Sequence, residues 1–548
     1  RLKMIRIQTE WNKVIIPRPN NPVNGRNTLS KVELYMDTKT KPRPGAGQER
    51  DMTYSEENRL DKAPILSELQ SRADRGAFGF HMPGHQGGRG LWTPFRNMLR
   101  RLGPRMDLTE LPGLDNLASA SACIAESQKQ MAALAGAFKT FYLVNGATAG
   151  LQASLMASNH PGGRVLMPAH AHMSLFNGLI LTGGRLIMLP VAVDPVWGIP
   201  LGASGQIFKG DPRLNGEVLV TVHPTYHGVM ADLEVQKNWV SEHPDTAWLV
   251  DEAHGAHLPY LDHSAGGSAL SFGADMVVQS THKMAGALTQ TALLHCSKAI
   301  WQQPLQQALN ILQTSSPSYL FLGALDAFQA QLQEDGGEGL RKARQLALAL
   351  AEEIRSLGGY RLWQDELPAG WRTDPCKITL DAGNLGLTGF ELSRLLREVY
   401  HIDVELVAER HVLLLVTMGH RPKDIVRLVS ALKEIQDRTP LEPKAPQPKE
   451  GWGAQPAGWI ETEYTPRQVF FSAKRTVPLK AAAGCIAAAA VVPYPPGIPL
   501  WVPGMVIRRE AVDRLEAWLA EGEACVGLAQ GAEGACVAIC DGTPSEAL

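Results

Sequence analysis

The stretch WLVDEAHGAHLPY, residues 248–260, places two acids and two histidines directly behind an apolar run. Three kinds of machine could use it. DEAH is the spelling of a helicase ATPase box. His254 and His257 could be metal ligands. An acid at the end of a buried strand, Asp251, could hold the nitrogen of a cofactor. A helicase also needs a phosphate loop of the G-x-x-x-x-G-K-[ST] kind, and the dipeptide Gly-Lys occurs nowhere in the chain. A catalytic zinc needs a further ligand set, and no H-E-x-x-H accompanies the two histidines. No metal is expected. The third reading decides the fold, because it makes WLVD a strand whose C-terminal end faces a ligand.

The flanking sequence agrees. From about residue 126 short apolar runs alternate with helical patterns. ESQKQMAALAGAF and GLQASLMAS read as helices; TFYLV, RVLMP, RLIMLPV, EVLVTV, TAWLVD, DMVVQS and TALLHC read as strands. Such a pattern predicts a mainly parallel sheet with helices on both faces, an α/β large domain over 126–335 preceded by an N-terminal segment, 52–125. Right-handed crossovers bring the strand C-termini to one edge, where open α/β sheets bind ligands. EGLRKARQLALALAEEIRSLGG opens a smaller α+β domain, 336–437, which continues through KITL, TGFELSRLLREVY, DVEL, HVLLLVT and DIVRLVSALKEI. Residues 438–458 are rich in Pro, Gly and Lys and read as a linker to a C-terminal α+β domain, 459–548. Residues 1–51 show no sustained period; they are expected to be a disordered tail or an extension upstream of a true start at Met52.

Composition narrows the class. The chain has 548 residues, 44% of them hydrophobic, so large cores are affordable. Lys+Arg 53 against Asp+Glu 55 leaves a net charge of −2, which supports neither a nucleic-acid nor a membrane-surface partner. Seven scattered cysteines without C-x-x-C read as reduced thiols. No secretory h-region is visible, and AAAGCIAAAAVVPYPP is too short for a span, so a cytoplasmic protein is expected.

The chemistry lies downstream of the opening stretch. DMVVQSTHKMAGALTQ puts Ser280, His282 and Lys283 just after a strand. A strand-end lysine is where an aldehyde cofactor could be held as an imine. Pyridoxal 5'-phosphate (PLP) needs such a lysine, an acid for its ring nitrogen, a flat group against the ring and a cradle for the phosphate. Asp251 is the acid. His172, in PAHAHMSLFNG, is a candidate ring stacker. VNGATAG, with Gly146, Ala147 and Thr148, is a strand–turn–helix whose amides could hold the phosphate. Taken singly these are a helix cap, a surface lysine, a surface histidine and an ordinary turn; their order along alternating strands is the signal.

These residues make the chain recognisable. It resembles the Orn/Lys/Arg decarboxylases, PLP enzymes with the aspartate-aminotransferase-like fold and a seven-stranded type of large-domain sheet. FHMPGHQGG, DLTELPGLDNL, VNGATAG, HPTYHGVMADL, LVDEAHGAHLPY, GADMVVQSTHKMAGALTQTALLH, TSSPSYLFLGALD, LGLTGFELSRLLRE and YPPGIPLWVPG carry the resemblance, over about 60 to 540. Its length is that of the shorter members. The resemblance implies decarboxylation of arginine, lysine or ornithine; from the residues alone, another PLP reaction or a non-catalytic relative stays open. It implies that Lys283 links to the cofactor and Asp251 pairs with its ring nitrogen. His172 stacks and His254 lies close by. Gly146, Ala147, Thr148, Ser280 and His282 surround the phosphate, and Thr225 lies near the ring hydroxyl. Ser315, Ser316 and Tyr319 reach a neighbouring subunit's site, which implies a homodimer or higher homo-oligomer. Glu110 and Asp115 are candidates for the substrate's cationic end, or else structural caps and surface acids. The family pattern differs at Met173, commonly lysine, at Ala147, often a hydroxyl residue, and at Met505, usually glutamate.

Overall fold

The computed structural model describes residues 63–209, 214–261, 267–439, 459–494, 497–520, 522, 524–531 and 534–544. The expected tail, 1–51, and nearly all of the expected linker, 438–458, lie outside them. The chain divides into two units. In the first, the described part is the helix Pro64–Asp74, which opens on a proline that fits the first helical turn.

The second unit contains the described residues from Phe78 onward. Its main sheet uses all seven apolar runs: β1 (Lys139–Leu143), β2 (Arg164–Pro168), β3 (Arg185–Leu189), β4 (Val218–Val222), β5 (Ala247–Asp251), β6 (Met276–Gln279) and β7 (Ala292–Cys296). The order is β3-β2-β4-β5-β6-β7-β1, and a two-residue strand from the C-terminal region, Ile460–Glu461, adds to the β3 edge. The expected seven strands are thus extended by an eighth. Strands β2 to β6 run parallel, and only β7 and the added strand are reversed. Antiparallel pairing to β7 leaves β1 parallel to the others, so six strand C-termini share one edge. Every residue of β5 is buried, as a strand covered on both faces requires.

Within the same unit lies a second, four-stranded antiparallel sheet, Arg361–Leu362, Lys377–Asp381, His411–Leu415 and Leu406–Val407, backed by the helices Glu338–Leu357, Gly389–Glu398 and Pro422–Arg438. Phe78–Phe80 pairs in parallel with Ile402–Val404 and brings the FHMPGH segment alongside. Trp501, Val502 and Met505, near the C-terminus, belong to the same apolar cluster as Phe141, Leu143 and Leu249 of the large sheet. Met505 is therefore a core residue, where a glutamate would have to be desolvated. All seven cysteines are free thiols. Among the described residues no helix is long and apolar enough to cross a membrane.

Several buried histidines make stability pH-dependent. Burial pushes His223 and His420 down to about 4 and His295 and His411 down to about 3. Unfolded, each binds its proton near pH 6.5, so between those values the unfolded chain holds more protons and stability falls as pH falls. Glu252 acts oppositely: burial pushes its carboxyl up to about 7, so it contributes stability that is lost as pH rises from about 4.5 to 7. Four groups outweigh one. The thermal midpoint is expected to drop between pH 7 and pH 5, each histidine supplying up to about 1.4 kcal/mol per pH unit in its window. A flat midpoint in calorimetry over that range would contradict this.

Candidate active site

Asp251 closes β5 between Val222 of β4 and Val278 of β6, with 5% of its surface exposed. The Ala253 amide donates to its Oδ1 at 3.1 Å. The motif's other acid does different work. Glu252 accepts from Ser268 Oγ (2.8 Å), the Ala269 amide (2.9 Å) and Gln279 Nε2 (2.5 Å), which ties the strand end to the next loop. The two histidines also separate. His254 Nε2 lies 3.0 Å from Lys283 Nζ, whereas His257 Nε2 lies 2.9 Å from Asp374.

Lys283 sits on a single turn of helix, Thr281–Met284, immediately after β6. Burial pushes its ammonium below the ordinary lysine value, and the carboxylates of Asp251 and Glu405 offset that only in part. Ser280 precedes the turn and is buried. His282 Nδ1 donates to the Thr291 carbonyl at 3.0 Å. Thr225 is buried after β4, where its hydroxyl accepts from the Val229 amide at 3.0 Å. His172 caps the helix α2 (Met173–Thr182): its Nδ1 accepts from the Ser174 amide. Desolvation on the protein side pushes its pKa down, and the fields of Asp251 and Lys283 both reach it. Strands β2, β4, β5 and β6 thus deliver His172, Thr225, Asp251, His254, Ser280, His282 and Lys283 to one edge.

Strand β1 delivers the turn expected to hold a phosphate. Helix α1 (Gly146–Ser158) follows it, with Gly146 at φ +76°, a conformation that L side chains rarely adopt. Asn145 makes no side-chain cap, so the first amides of this long helix stay open to an anion. Thr148 is exposed there and Ala147 is buried. The loop is held by Gln290 Nε2 on the Val144 carbonyl (2.6 Å) and Gln313 Oε1 under the Val144 amide (2.9 Å). A strand-end lysine, a strand-end carboxylate and an uncapped helix terminus on one edge fit the donor set that PLP requires.

The segment 80–90 packs on the lysine turn. Gly84 N donates to the His282 carbonyl at 2.7 Å. A Cβ on Gly84 would lie 2.7 Å from the Ala285 carbonyl oxygen and 2.8 Å from that of Lys283. Gly84→Ala is expected to push the lysine turn away, costing about 1–3 kcal/mol and lowering cofactor occupancy. A thermal melt and the visible absorbance of the loaded protein check it.

The candidates for the substrate's cationic end come from segments outside the strand ends; the Thr314 amide, just before Ser315, donates to Asn145 Oδ1 at 3.4 Å. Asp115 is a cap: its carboxylate accepts from the amides of Asn116, Ser121, Ala122, Ile124 and Ala125. Burial pushes this carboxyl up, but the amides outweigh it and hold it below the usual value. Of the two readings kept open for Asp115, these contacts are those of a cap. Tyr319 Oη donates to the Asp115 carbonyl at 2.6 Å and accepts from its amide. Glu110, Ser315 and Ser316 are exposed.

Two residues escaped the sequence reading. Lys377 is fully buried, with Nζ 2.7 Å from His254 Nδ1 and 2.8 Å from the Tyr226 carbonyl. Glu405 accepts from Tyr226 Oη at 2.5 Å and from the Met82 amide at 2.9 Å. The only hint of Lys377 was a lysine opening the apolar run KITL.

Comparison with known proteins identifies the family. The family described as "Orn/Lys/Arg decarboxylase, major domain" matches residues 63–367, and "Orn/Lys/Arg decarboxylase, C-terminal domain" matches 458–544. The chain is 31% identical to an arginine decarboxylase of Bacillus subtilis, over 82% of this chain and 92% of that one. It is 32% identical to an arginine decarboxylase of Bacillus cereus, over 81% and 96%. The lysine decarboxylase LdcA of Pseudomonas aeruginosa is 24% identical, over 80% and 73%. Among solved structures, the Francisella novicida lysine decarboxylase LdcF superposes with TM-score 0.69 at 18% identity, covering 84% of this chain and 78% of that one. That last likeness speaks for the fold. The major-domain match spans more than half of the sequence, and with relatives above 30% identity along most of its length the chain belongs to the Orn/Lys/Arg decarboxylase family.

Proposed function

We propose that the protein binds PLP at the shared strand edge and decarboxylates a basic amino acid, arginine first among the three. The observation that carries this is the convergence of Lys283, Asp251 and the uncapped α1 terminus on one sheet edge. Arginine is favoured because the relatives at 31% and 32% identity are named arginine decarboxylases, while a lysine decarboxylase stands at 24%.

When bound, PLP supplies an electron sink for the pair left on Cα as carbon dioxide departs. The chain's residues do the remainder. Lys283 would hold the cofactor covalently and then move a proton at Cα. Asp251 would face the ring nitrogen and hold a proton there. His172 would lie against the ring, with His254 beside Lys283. Gly146, Ala147, Thr148, Ser280 and His282 would bind the phosphate, and Thr225 would sit by the ring hydroxyl. In a homodimer, the exposed Ser315 and Ser316, with the half-buried Tyr319 behind them, would approach the other subunit's site.

The test is carbon dioxide release by the purified protein with PLP, offered arginine, lysine and ornithine in parallel. Release from arginine with formation of its amine is expected. Pyridoxamine phosphate or an aldehyde product would replace the reading with transamination or aldol cleavage. No turnover of any of the three would leave a non-catalytic relative.

A further inference from the structure

His254 stands between two lysines. Lys283 Nζ is 3.0 Å from its Nε2 and Lys377 Nζ is 2.7 Å from its Nδ1. The two lysines reach it from different layers. Lys283 follows β6, whereas Lys377 opens the strand Lys377–Asp381 of the smaller sheet. The stem of Lys377 passes over Gly228, where a Cβ would lie 2.9 Å from its Cδ. The Tyr226 carbonyl accepts one Lys377 hydrogen at 2.8 Å, and the Tyr226 ring lies 4.9 Å from the His254 ring.

Hydrogen-bond parity restricts this array. A neutral imidazole has one N–H and one lone pair, and an ammonium has donors only. Burial, then Lys283 and Lys377, push the His254 pKa well below its ordinary value, so the ring is neutral. Two ammonium groups cannot both donate to it. One lysine must be a neutral amine that accepts. Burial pushes Lys377 down to about 7, with Asp374, Glu405 and Cys376 pulling it up and Lys283 opposing them. The field of Lys377 also reaches His227. Asp251 and Glu405 face Lys283, and His172 and His282 face His254.

We propose that Lys377 is a positioning residue that, through His254, takes up and returns the proton of Lys283 Nζ. The exchange balances. One N–H bond breaks at Lys283 and one forms at His254 Nε2; the Nδ1–H bond breaks and one forms at Lys377. A positive charge moves from one amine to the other, and the ring changes tautomer without gaining charge. Lys283 can thus be neutral when it must act as a nucleophile and protonated when Cα needs a proton. That use of the proton rests on the decarboxylase reading; the sharing itself does not.

The test follows Lys283 in the full chain stripped of cofactor, by the pH dependence of its labelling with an amine-acylating reagent and peptide mass spectrometry. Lys377→Met leaves the proton on Lys283, so the labelling midpoint rises by about one pH unit. Lys377→Arg always donates to Nδ1 and never accepts a proton, which turns an Nε2–H toward Lys283, and the midpoint falls. His254→Gln keeps polar ends without a transferable proton; in that background Lys377→Met leaves the midpoint unmoved. Equal or same-direction shifts in the two lysine variants, or a Lys377→Met shift that persists in the His254→Gln background, overturn the proposal. A variant that fails to fold by circular dichroism is replaced by Lys377→Gln, for which a raised midpoint is again expected and an unchanged one counts against the relay. In the loaded enzyme Lys377→Met is expected to lower kcat about tenfold or more and to move its pH profile, with KM little changed. Opposite labelling shifts in the two Lys377 variants, together with a wild-type chain that releases no carbon dioxide, would sink the decarboxylase reading and leave the relay standing.

Discussion

Lys283→Ala is expected to abolish carbon dioxide release, by at least about 10⁴-fold, because in the proposed function one side chain would supply both the covalent hold and a proton-transfer group. The visible absorbance of the lysine-bound cofactor is expected to vanish with it. Unfolding is not the cause the structure points to. Lys283 is largely buried beside His254, and burial already pushes its ammonium down, so this amine costs the fold free energy. His254 keeps its other partner, Lys377, at 2.7 Å. The thermal midpoint of the cofactor-free variant is therefore expected to equal or exceed that of the wild type. Turnover within a factor of about ten of wild type would remove Lys283 from the chemistry. A variant that is inactive and also melts early would point instead to a collapsed lysine turn.

Much of this arrangement was legible in the residues. Seven apolar runs too short for helices became the seven large-domain strands, and the acids and bases at their ends reached one edge because parallel strands share a polarity. The order of the strands was not legible, since nothing local tells Arg164–Pro168 to pair with both Arg185–Leu189 and Val218–Val222. Neither was the edge strand Ile460–Glu461, two residues long and without a periodicity of its own. Within WLVDEAHGAHLPY, the division of labour was hidden. Glu252 serves the neighbouring loop and His257 serves Asp374, and those partners lie 16 and 117 residues away. Lys377 is the extreme case: it meets His254 across 123 residues, and a lysine at the start of a strand looks like a solvated residue until the smaller sheet closes over it. Asp115 was ambiguous for the opposite reason, because a carboxylate that caps a helix and one that receives a cation are spelled alike.

Asp251→Asn tests the electron sink with little change of shape. The carboxylate ends a fully buried strand and its Oδ1 already takes the Ala253 amide, an arrangement an amide oxygen can reproduce. What asparagine cannot reproduce is the charge. Asp251 would hold the proton on the ring nitrogen of bound PLP, and without that charge the cofactor would supply a weaker electron sink. Removing one preorganised electrostatic partner costs about 10²–10³ in kcat, roughly 3–4 kcal/mol. The same charge also acts on Lys283, whose pKa it pulls up against burial. In the cofactor-free chain Asp251→Asn is therefore expected to lower the labelling midpoint of Lys283, an effect that needs no turnover to be seen. Asp251→Glu, which restores the charge, is expected to recover part of both. An Asn variant with wild-type kcat would show that the carboxylate does not hold the ring proton. A lowered kcat with an unmoved Lys283 midpoint would show that Asp251 and Lys283 do not share one field, and the site would have to be divided between two separate pockets.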